Sequence, residues 1–140
     1  MDRTFVMIKP DGVRRGVIGE IVGRFERRGI RVVGLKIVQP TREIAERHYA
    51  VHRDKPFYAE LIDFVTSGPV VPMVLEADGV VPLVRSMMGA LKPINALPGT
   101  IRGDMTTSAQ CNLVHGSDAP ETAAEEIAIW FSPDELLASE

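Results

Sequence analysis

Short apolar segments rich in β-branched residues alternate with segments of helical periodicity along the whole chain. Residues 3–9, 30–38, 69–77 and 110–115 predict four strands, bounded by glycine, proline and other turn residues. Residues 17–28, 41–49, 57–65, 80–88 and 120–131 predict helices from apolar spacing, caps and stops. The predicted order is β-α-β-α-α-β-α-β-α. With so few strands, one sheet covered by helices on one face is the economical architecture.

The chain contains no internal repeat and no low-complexity linker. Its 140 residues therefore predict a single domain over 1–140. Pro72 lies inside the third predicted strand and predicts an edge strand or a bulge, because proline has no N–H to donate. Residues 92–102 form a loop punctuated by Pro93, Pro98 and Gly99. A loop of this length in a small domain indicates a functional role, such as a lid or a binding loop.

Composition excludes several classes of function. The hydrophobic content of 45% is that of a globular protein, and no apolar run approaches the ~20 residues of a membrane span. The net charge of −3 gives no electrostatic case for nonspecific nucleic-acid binding. The N-terminal segment has no secretion-signal pattern, and the single cysteine, Cys111, fits a reducing compartment. We therefore expect a cytoplasmic protein.

Familiar nucleotide and metal motifs are absent. Gly12 and Gly16 flank Arg14 and Arg15 without the lysine-serine pair of a phosphate-binding loop, and there is no CxxC or HExxH pattern. His48 and His52 lie four residues apart and could share a helix face as two metal ligands. No third ligand is evident, however, and the helix is expected to end near residue 49.

One histidine lies where a reactive side chain would be displayed. His115 ends the last predicted strand and is followed by small polar residues before the final helix. A neutral imidazole is nucleophilic near pH 7, so a histidine fixed at this turn can accept a group covalently. The alternative is that His115 is an ordinary turn residue. Two isolated arginines, Arg85 and Arg102, would favour a nucleophilic role for His115 if the fold brings them close to it. Several guanidinium groups in one pocket suit a polyphosphate.

Four short motifs together resemble the nucleoside diphosphate kinase family. They are Lys9-Pro10-Asp11-Gly12-Val13, Ser67-Gly68-Pro69-Val70-Val71, Pro98-Gly99-Thr100-Ile101-Arg102-Gly103-Asp104 and Asn112-x-x-His115-Gly116-Ser117-Asp118. Each is weak alone, but their order and spacing are specific, and the resemblance runs from Thr4 to Leu136. It implies an α+β, ferredoxin-like sandwich with a four-stranded antiparallel sheet and helices packed on it.

The resemblance also implies an activity. The family exchanges terminal phosphates between ATP or other nucleoside triphosphates and nucleoside diphosphates, with Mg²⁺ held by the nucleotide phosphates and not by the protein. The mechanism it implies is ping-pong, through a pros-phosphohistidine at His115. It further implies a homo-oligomer, a hexamer in preference to a tetramer, with residues 92–99 at a trimer contact. No membrane and no specific nucleic acid are expected as partners.

The roles of the other site residues follow from the same resemblance. Glu126 would orient His115 through its second ring nitrogen, and Ser117 would steady the ring or the loop. The nucleotide contacts it implies are Lys9, Arg85 and Arg102 on phosphates and sugar, Tyr49 and Asn112 as further polar contacts, and Phe57 and Leu61 stacking on the base. Stacking without edge contacts predicts broad base tolerance.

The sequence supports the assignment of Glu126 independently. In the last helix, Glu126 lies beside the apolar stripe of Ala123, Ile127 and Trp130, at helical spacing from its members. Ser117 has an alternative role that is compatible with the first, as an N-terminal helix cap together with the next residue.

Two positions depart from the family pattern. Leu91 stands where the family usually has a threonine whose hydroxyl contacts phosphates, and its loss should cost about 0.5–1.5 kcal/mol of nucleotide binding. Ala109 replaces a larger apolar residue across from Phe57, which predicts a looser base slot. A catalytically silent nucleotide- or nucleic-acid-binding module with the same fold is the alternative function. It would not need the intact set of His115, Lys9, Arg102, Asn112 and Glu126.

Overall fold

The computed structural model describes residues 1–140. The strands are β1 (Asp2–Ile8), β2 (Arg31–Leu35), β3 (Val71–Ala77) and β4 (Val114–Gly116). The α-helices are α1 (Pro10–Arg14), α2 (Ile18–Arg27), α3 (Arg42–His48), α4 (Tyr58–Val65), α5 (Val80–Met88), α6 (Ile101–Met105) and α7 (Pro120–Trp130). Short 3-10 turns cover Ala50–His52, Pro93–Asn95 and Pro133–Glu135. None of the helices is both long enough and apolar enough to cross a bilayer.

The strands form one sheet in the order β2-β3-β1-β4, and every neighbouring pair is antiparallel. The four-stranded antiparallel sheet predicted from the sequence is therefore confirmed. The two longest strands, β1 and β3, are central, whereas β2 and the three-residue β4 form the edges. His115 thus lies on an edge strand, opposite Met7 near the C-terminal end of β1.

The prediction from Pro72 is wrong, because β3 is a central strand. The Pro72 carbonyl accepts a hydrogen bond from the Lys36 N–H (3.2 Å). Since the nitrogen and carbonyl of a strand residue face the same neighbour, the missing N–H of Pro72 faces the chain just beyond the end of β2. It therefore removes no hydrogen bond between β3 and β1.

The sheet is covered by helices on both faces, and the expectation of cover on one face is wrong. Alternate residues of β1 enter two separate cores. Val6 and Ile8 pack with α2 and α5, and Phe5 and Met7 pack with α3, α4 and α7. Burial on both faces explains why β1 is a continuous apolar run and not an alternating one. The sheet is therefore a rigid central layer for the residues at its edges.

Several predicted elements match closely and others do not. Helix α5 has the predicted bounds, and Thr41 caps α3 by accepting a hydrogen bond from the Ile44 N–H (3.1 Å). Helices α1 and α6 were not predicted: they fall in segments expected to be a turn and a loop. Strand β4 is also shorter than the predicted 110–115, because the backbone before it is irregular.

Candidate active site

His115 is held by one ring nitrogen and leaves the other free. Its Nε2 lies 3.1 and 2.9 Å from the two carboxylate oxygens of Glu126. Its Nδ1 makes no hydrogen bond within the chain, and the side chain is 23% exposed. A carboxylate can only accept here, so Nε2 carries the proton and Nδ1 presents its lone pair. The arrangement makes Nδ1 the nucleophilic atom.

Glu126 is the centre of the hydrogen bonds around this histidine. It is buried in the middle of α7, whereas its neighbour Glu125 is exposed. Its Oε1 also accepts a short hydrogen bond from the Ser117 hydroxyl (2.5 Å). Burial disfavours the carboxylate, but the hydrogen bond and charge of His115, with Ser117, outweigh it and lower the pKa of Glu126. Glu126 is therefore an anion fixed against His115.

The capping role expected of Ser117 is wrong. Helix α7 has Ala119 at its N-cap, without a side-chain cap, and Pro120 at its first position. The Ser117 hydroxyl instead bonds Glu126 and lies 3.4 Å from the carbonyl of Phe5. Ser117 thus links β1, the end of β4 and α7.

A strained backbone segment precedes the histidine. Leu113 has φ 75° and is fully buried, a conformation that a bulky residue adopts only when its surroundings enforce it. Its N–H donates to the Asp11 carboxylate (3.0 Å), and its carbonyl accepts from the Lys9 N–H (2.8 Å). A Cβ on Gly12 would lie 3.2 Å from the same carbonyl. The segment from Lys9 to Gly12 is therefore the brace that fixes the approach to His115.

Two arginines contact the backbone on either side of the histidine. The Arg102 guanidinium donates to the carbonyls of Val114 (2.7 Å), Gly89 (2.9 Å) and Asn112 (3.3 Å). Arg85 donates to the carbonyl of Gly116 (3.2 Å). Burial and the nearby charge of Arg85 lower the pKa of Arg102 to about 10, which leaves it charged at neutral pH. The two isolated arginines therefore converge on residues adjacent to His115.

A cavity of about 210 Å³ lies next to this cluster. Tyr49 and Asn112 are buried and form its closed end, whereas Phe57 is 43% exposed and marks its open end. Its complete lining is Lys9, Tyr49, Phe57, Glu60, Leu61, Phe64, Ala109, Gln110 and Asn112. The closed end is polar, and the mouth presents Phe57 and Leu61 beside the exposed Glu60 and Gln110, so a ligand with a charged end and a flat face could occupy it.

Burial also changes the acidity of the cavity lining. It lowers the pKa of Lys9 to about 8, with a smaller contribution from the charge of Arg102. Burial likewise raises the pKa of Tyr49 to about 12, so its hydroxyl is a hydrogen-bond donor at neutral pH. Leu91, in contrast, is 57% exposed in the loop after α5 and does not line the cavity.

The structure does not bring His48 and His52 together as metal ligands. The three side chains with ligand atoms close enough for one ion are His48, His115 and Glu126, and His52 is not among them. His48 Nδ1 accepts a hydrogen bond from the Trp130 indole N–H (3.0 Å). The His48 Nε2 therefore carries the proton and has no lone pair for a metal.

Three residues of this site were missed from the sequence. Asp11 and Leu113 are 102 positions apart, and nothing local to either predicts their hydrogen bond. Asp11 enters the sequence argument only as a member of one of the four motifs, which gives it no structural partner. His48 was considered only with His52, although its partner Trp130 lies 82 positions away on another helix.

A histidine with a free ring nitrogen, two arginines on the backbone beside it and a half-buried lysine in the neighbouring cavity together define a site for transferring an anionic group. A sequence model of the nucleoside diphosphate kinase family matches residues 2–136. A nucleoside diphosphate kinase from Thermus thermophilus is 62% identical over 137 residues, which cover 98% of this chain and 100% of the relative. One from Prochlorococcus marinus (strain MIT 9303) is 59% identical over 138 residues, covering 99% of this chain and 91% of the relative.

Solved structures agree with the sequence comparisons. A nucleoside diphosphate kinase family protein from Babesia bovis superposes with a TM-score of 0.97 at 43% identity, covering 100% of this chain and 95% of that one. The halophilic nucleoside diphosphate kinase from Halobacterium salinarum, solved in complex with CDP, gives a TM-score of 0.95 at 48% identity, covering 99% and 93%. The chain belongs to the nucleoside diphosphate kinase family, and it is an enzyme of the phosphotransferase class.

Proposed function

We propose that this enzyme moves the terminal phosphate of a nucleoside triphosphate to a nucleoside diphosphate by a ping-pong mechanism through a phosphohistidine at His115. The observation that carries the proposal is the asymmetry of the His115 ring. Nε2 is hydrogen-bonded to the Glu126 carboxylate at 2.9 Å, while Nδ1 has no hydrogen-bond partner in the chain and the side chain is 23% exposed. A ring held in this way is a nucleophile that needs no base to activate it.

In the first half-reaction, the Nδ1 lone pair attacks the γ-phosphorus of the triphosphate. The new N–P bond forms as the bond from the γ-phosphorus to the bridging oxygen breaks, and that oxygen's electrons leave with the nucleoside diphosphate. The ring gains positive charge as Nδ1 donates its electrons. Glu126, already an anion against the Nε2 proton, stabilises that charge.

In the second half-reaction, a terminal phosphate oxygen of an acceptor diphosphate attacks the phosphohistidine. The N–P bond breaks, and its electrons return to Nδ1 as the lone pair. The two steps are near mirror images, so one cavity serves the donor and the acceptor in turn. Only phosphate charge has to be held during transfer, which requires cations and positioned donors more than acid-base groups.

The phosphate-binding groups are Lys9, Arg85 and Arg102. Arg102 has five N–H donors, of which three are used on backbone carbonyls, so two remain for phosphate oxygens. Tyr49 and Asn112 supply further polar contacts at the closed end of the cavity. We place Mg²⁺ on the nucleotide as part of the substrate. His115 and Glu126 are already hydrogen-bonded to each other and His48 to Trp130, and these side chains offer no set of oxygen ligands.

The nucleoside would occupy the mouth of the cavity. Phe57 and Leu61 lie on successive turns at the start of α4 and offer apolar faces on which any base can stack. Stacking reads no base edge, so we propose broad base tolerance. Ala109 lines the same mouth with a single methyl group, which supports a wide slot.

We also propose that the enzyme is a homo-oligomer, a hexamer in preference to a tetramer, and that it works in the cytoplasm. Two apolar surfaces support self-association. In the loop between α5 and α6, Ile94 is 90% and Leu97 70% exposed; at the β2 edge, Leu35 and Ile37 are also exposed. Sizing chromatography with light scattering separates hexamer, tetramer and monomer in one run.

Incubation with γ-labelled ATP tests the mechanism. The wild type should acquire stoichiometric label that is stable in alkali and labile in acid, as a phosphoramidate is, and should pass it to any added nucleoside diphosphate. His115→Ala should acquire none, while His52→Ala, which changes a half-buried histidine outside the proposed set, should be labelled normally. Folded wild-type protein that binds nucleotide but takes no label would instead indicate a silent nucleotide-binding module.

A further inference from the structure

His48 is a buried imidazole next to the active histidine. It ends α3 and its side chain is only 1% exposed. Its Nδ1 accepts the Trp130 indole N–H at 3.0 Å. An indole nitrogen can only donate, so Nδ1 must carry the lone pair and Nε2 must carry the proton. Trp130 therefore fixes the tautomer of His48.

The proton on His48 Nε2 is directed at the active site. Nε2 lies 3.7 Å from Glu126 Oε2, the same oxygen that His115 Nε2 contacts at 2.9 Å. No group hydrogen-bonds His48 Nε2, although that atom is buried. A buried donor left without a full partner is costly and is retained where it serves the site.

The ring of His48 also packs on the ring of His115. Their centroids are 4.6 Å apart and their planes are nearly perpendicular, at 77°. The Phe5 ring packs against both, with centroid distances of 6.1 Å to His115 and 5.8 Å to His48. Rotation of the His115 ring, which would exchange Nδ1 and Nε2, would push it into these rings.

We propose that His48 is a positioning residue: an uncharged imidazole, locked by Trp130 in its Nε2–H form, that holds Glu126 Oε2 and the ring of His115 so that Nδ1 faces the phosphate. This inference rests on the proposed phosphohistidine mechanism and adds the origin of the ring's orientation. The chain of contacts runs from Trp130 through His48 to Glu126 and His115. These contacts connect Trp130 at the end of α7 to His48 at the end of α3, and His48 in turn to Glu126 and His115 in the active site.

The absence of charge on His48 is part of the role. Burial, and next the nearby His115, lower the pKa of His48 to about 3, so it stays neutral throughout the working pH range. A charged His48 would repel the His115 ring as that ring becomes positive during transfer. The titratable groups facing Glu126 are His115 from β4, with His48 and Tyr49 from the end of α3; Lys9 lies next to His48.

Two conservative variants separate the two contacts of His48: the hydrogen bond from Trp130 (3.0 Å) and the approach of the Nε2–H to Glu126 (3.7 Å). In His48→Gln the amide nitrogen can occupy the place of Nε2 and still donate toward Glu126, but Trp130 loses its acceptor. In His48→Asn the amide oxygen can occupy the place of Nδ1 and still accept from Trp130, but Glu126 loses the donor. If His48 only stabilises the fold, the phosphorylation rate of each variant should fall in proportion to its loss of thermal stability. A positioning role predicts that rate follows the donor to Glu126.

The test is single-turnover phosphorylation by γ-labelled ATP as a function of pH, together with the melting temperature of each variant. We expect the rate of His48→Gln to stay within about threefold of wild type and that of His48→Asn to fall about tenfold or more. Loss of a donor raises the pKa of Glu126, so the acid limb of the Asn profile should move to higher pH. Equal rates and unshifted profiles in both variants would overturn the proposal.

A measurement on the wild type keeps the proposal testable if either variant fails to fold. Nitrogen-15 NMR of the histidine rings should show His48 protonated at Nε2 and not at Nδ1 from pH 5 to pH 9. A proton on Nδ1 would overturn the proposal. This result is independent of the proposed function, which fails instead if His115→Ala still acquires label.

Discussion

At the scale of single residues, the site works by placing ordinary side chains where water is excluded. Lys9 is the clearest case. It is half-buried at the floor of the cavity, and burial with the charge of Arg102 lowers its pKa to about 8. A bound phosphate favours the charged ammonium and raises that pKa again. Nucleotide binding and protonation of Lys9 are therefore coupled.

This coupling predicts how affinity changes with pH. Below pH 8 the free enzyme already holds the proton on Lys9, and affinity should be independent of this group. Above pH 8 binding must take up a proton, so affinity should fall by up to about tenfold per pH unit until the pKa of the complex is reached. Calorimetric titration with a nucleoside diphosphate, in buffers of different ionisation enthalpy, measures both the affinity and the proton uptake.

Lys9→Arg is the matched control, because its guanidinium stays charged across this range. The affinity of Lys9→Arg for nucleotide at pH 7 should differ from wild type because the guanidinium has another shape. Its affinity should not begin to fall near pH 8 as that of the wild type does. Constant wild-type affinity up to pH 9.5, with no proton uptake, would show that Lys9 does not contact the nucleotide.

At the scale of elements, the sequence predicts best where local chemistry alone fixes a boundary. Helix α5 had the predicted bounds because glycines with positive φ flank it at Gly79 and Gly89. Helix α6 was missed although Thr100 caps it by accepting from the Gly103 N–H (2.9 Å). Its five residues are too few for a periodic pattern to appear. The helix is instead fixed by the packing of Arg102 on the carbonyls around His115.

The loop from α5 to α6 carries the main departure from the family pattern. Its start is held because the Gly89 carbonyl accepts from Arg102 (2.9 Å), while the Leu91 side chain projects largely into solvent. We expect Leu91→Thr to restore a hydroxyl contact with phosphate worth about 0.5–1.5 kcal/mol. The KM for nucleoside triphosphate should then fall roughly two- to tenfold at constant kcat.

Leu97→Thr is the control for this prediction, since it makes the same change at another exposed leucine of the loop. It should leave KM unchanged. If Leu91→Thr changes KM no more than Leu97→Thr does, the hydroxyl at position 91 has no part in binding.

At the scale of the whole molecule, the features that could not be predicted are those that join distant parts of the chain. Cover on both faces of the sheet depends on which helix packs where, and periodicity within each helix does not encode that choice. The contact of Trp130 with His48 also joins two helices that are far apart in sequence, and the pattern within neither helix encodes it. The resemblance predicted the four-stranded sheet, the family and the histidine, but it did not predict the hydrogen bonds that orient the ring.

A second long-range cluster ties the C-terminal tail to the sheet. Glu76 on β3 is fully buried and accepts hydrogen bonds from Ser139 (2.6 Å), Arg3 on β1 (2.8 Å) and Arg31 on β2 (3.2 Å). The same arginines donate to the carbonyls of Leu137 (2.6 Å) and Ala138 (2.8 Å). One carboxylate thus holds three adjacent strands and the tail together.

These bonds make stability depend on pH in a definable window. The hydrogen bond from Ser139, followed by that from Arg3, lowers the pKa of Glu76 from its ordinary 4.5 to about 2. A lowered carboxylate pKa adds stability that is fully present above pH 4.5 and is lost as pH falls through about 2. Removing the charge of Glu76 should therefore lower the free energy of unfolding most at neutral pH and least in strong acid.

Glu76→Gln should lower the melting temperature at pH 7 by roughly 5 °C or more, because it leaves two half-buried guanidinium groups without their buried anion. The difference from wild type should narrow below pH 4.5 and close near pH 2. Glu140→Gln provides the control: that carboxylate is 78% exposed and lies 3.6 Å from Arg31, so its loss should shift the melting temperature little at any pH. A difference for Glu76→Gln that stays constant from pH 7 to pH 2 would mean that amide packing, and not the buried charge, stabilises the tail.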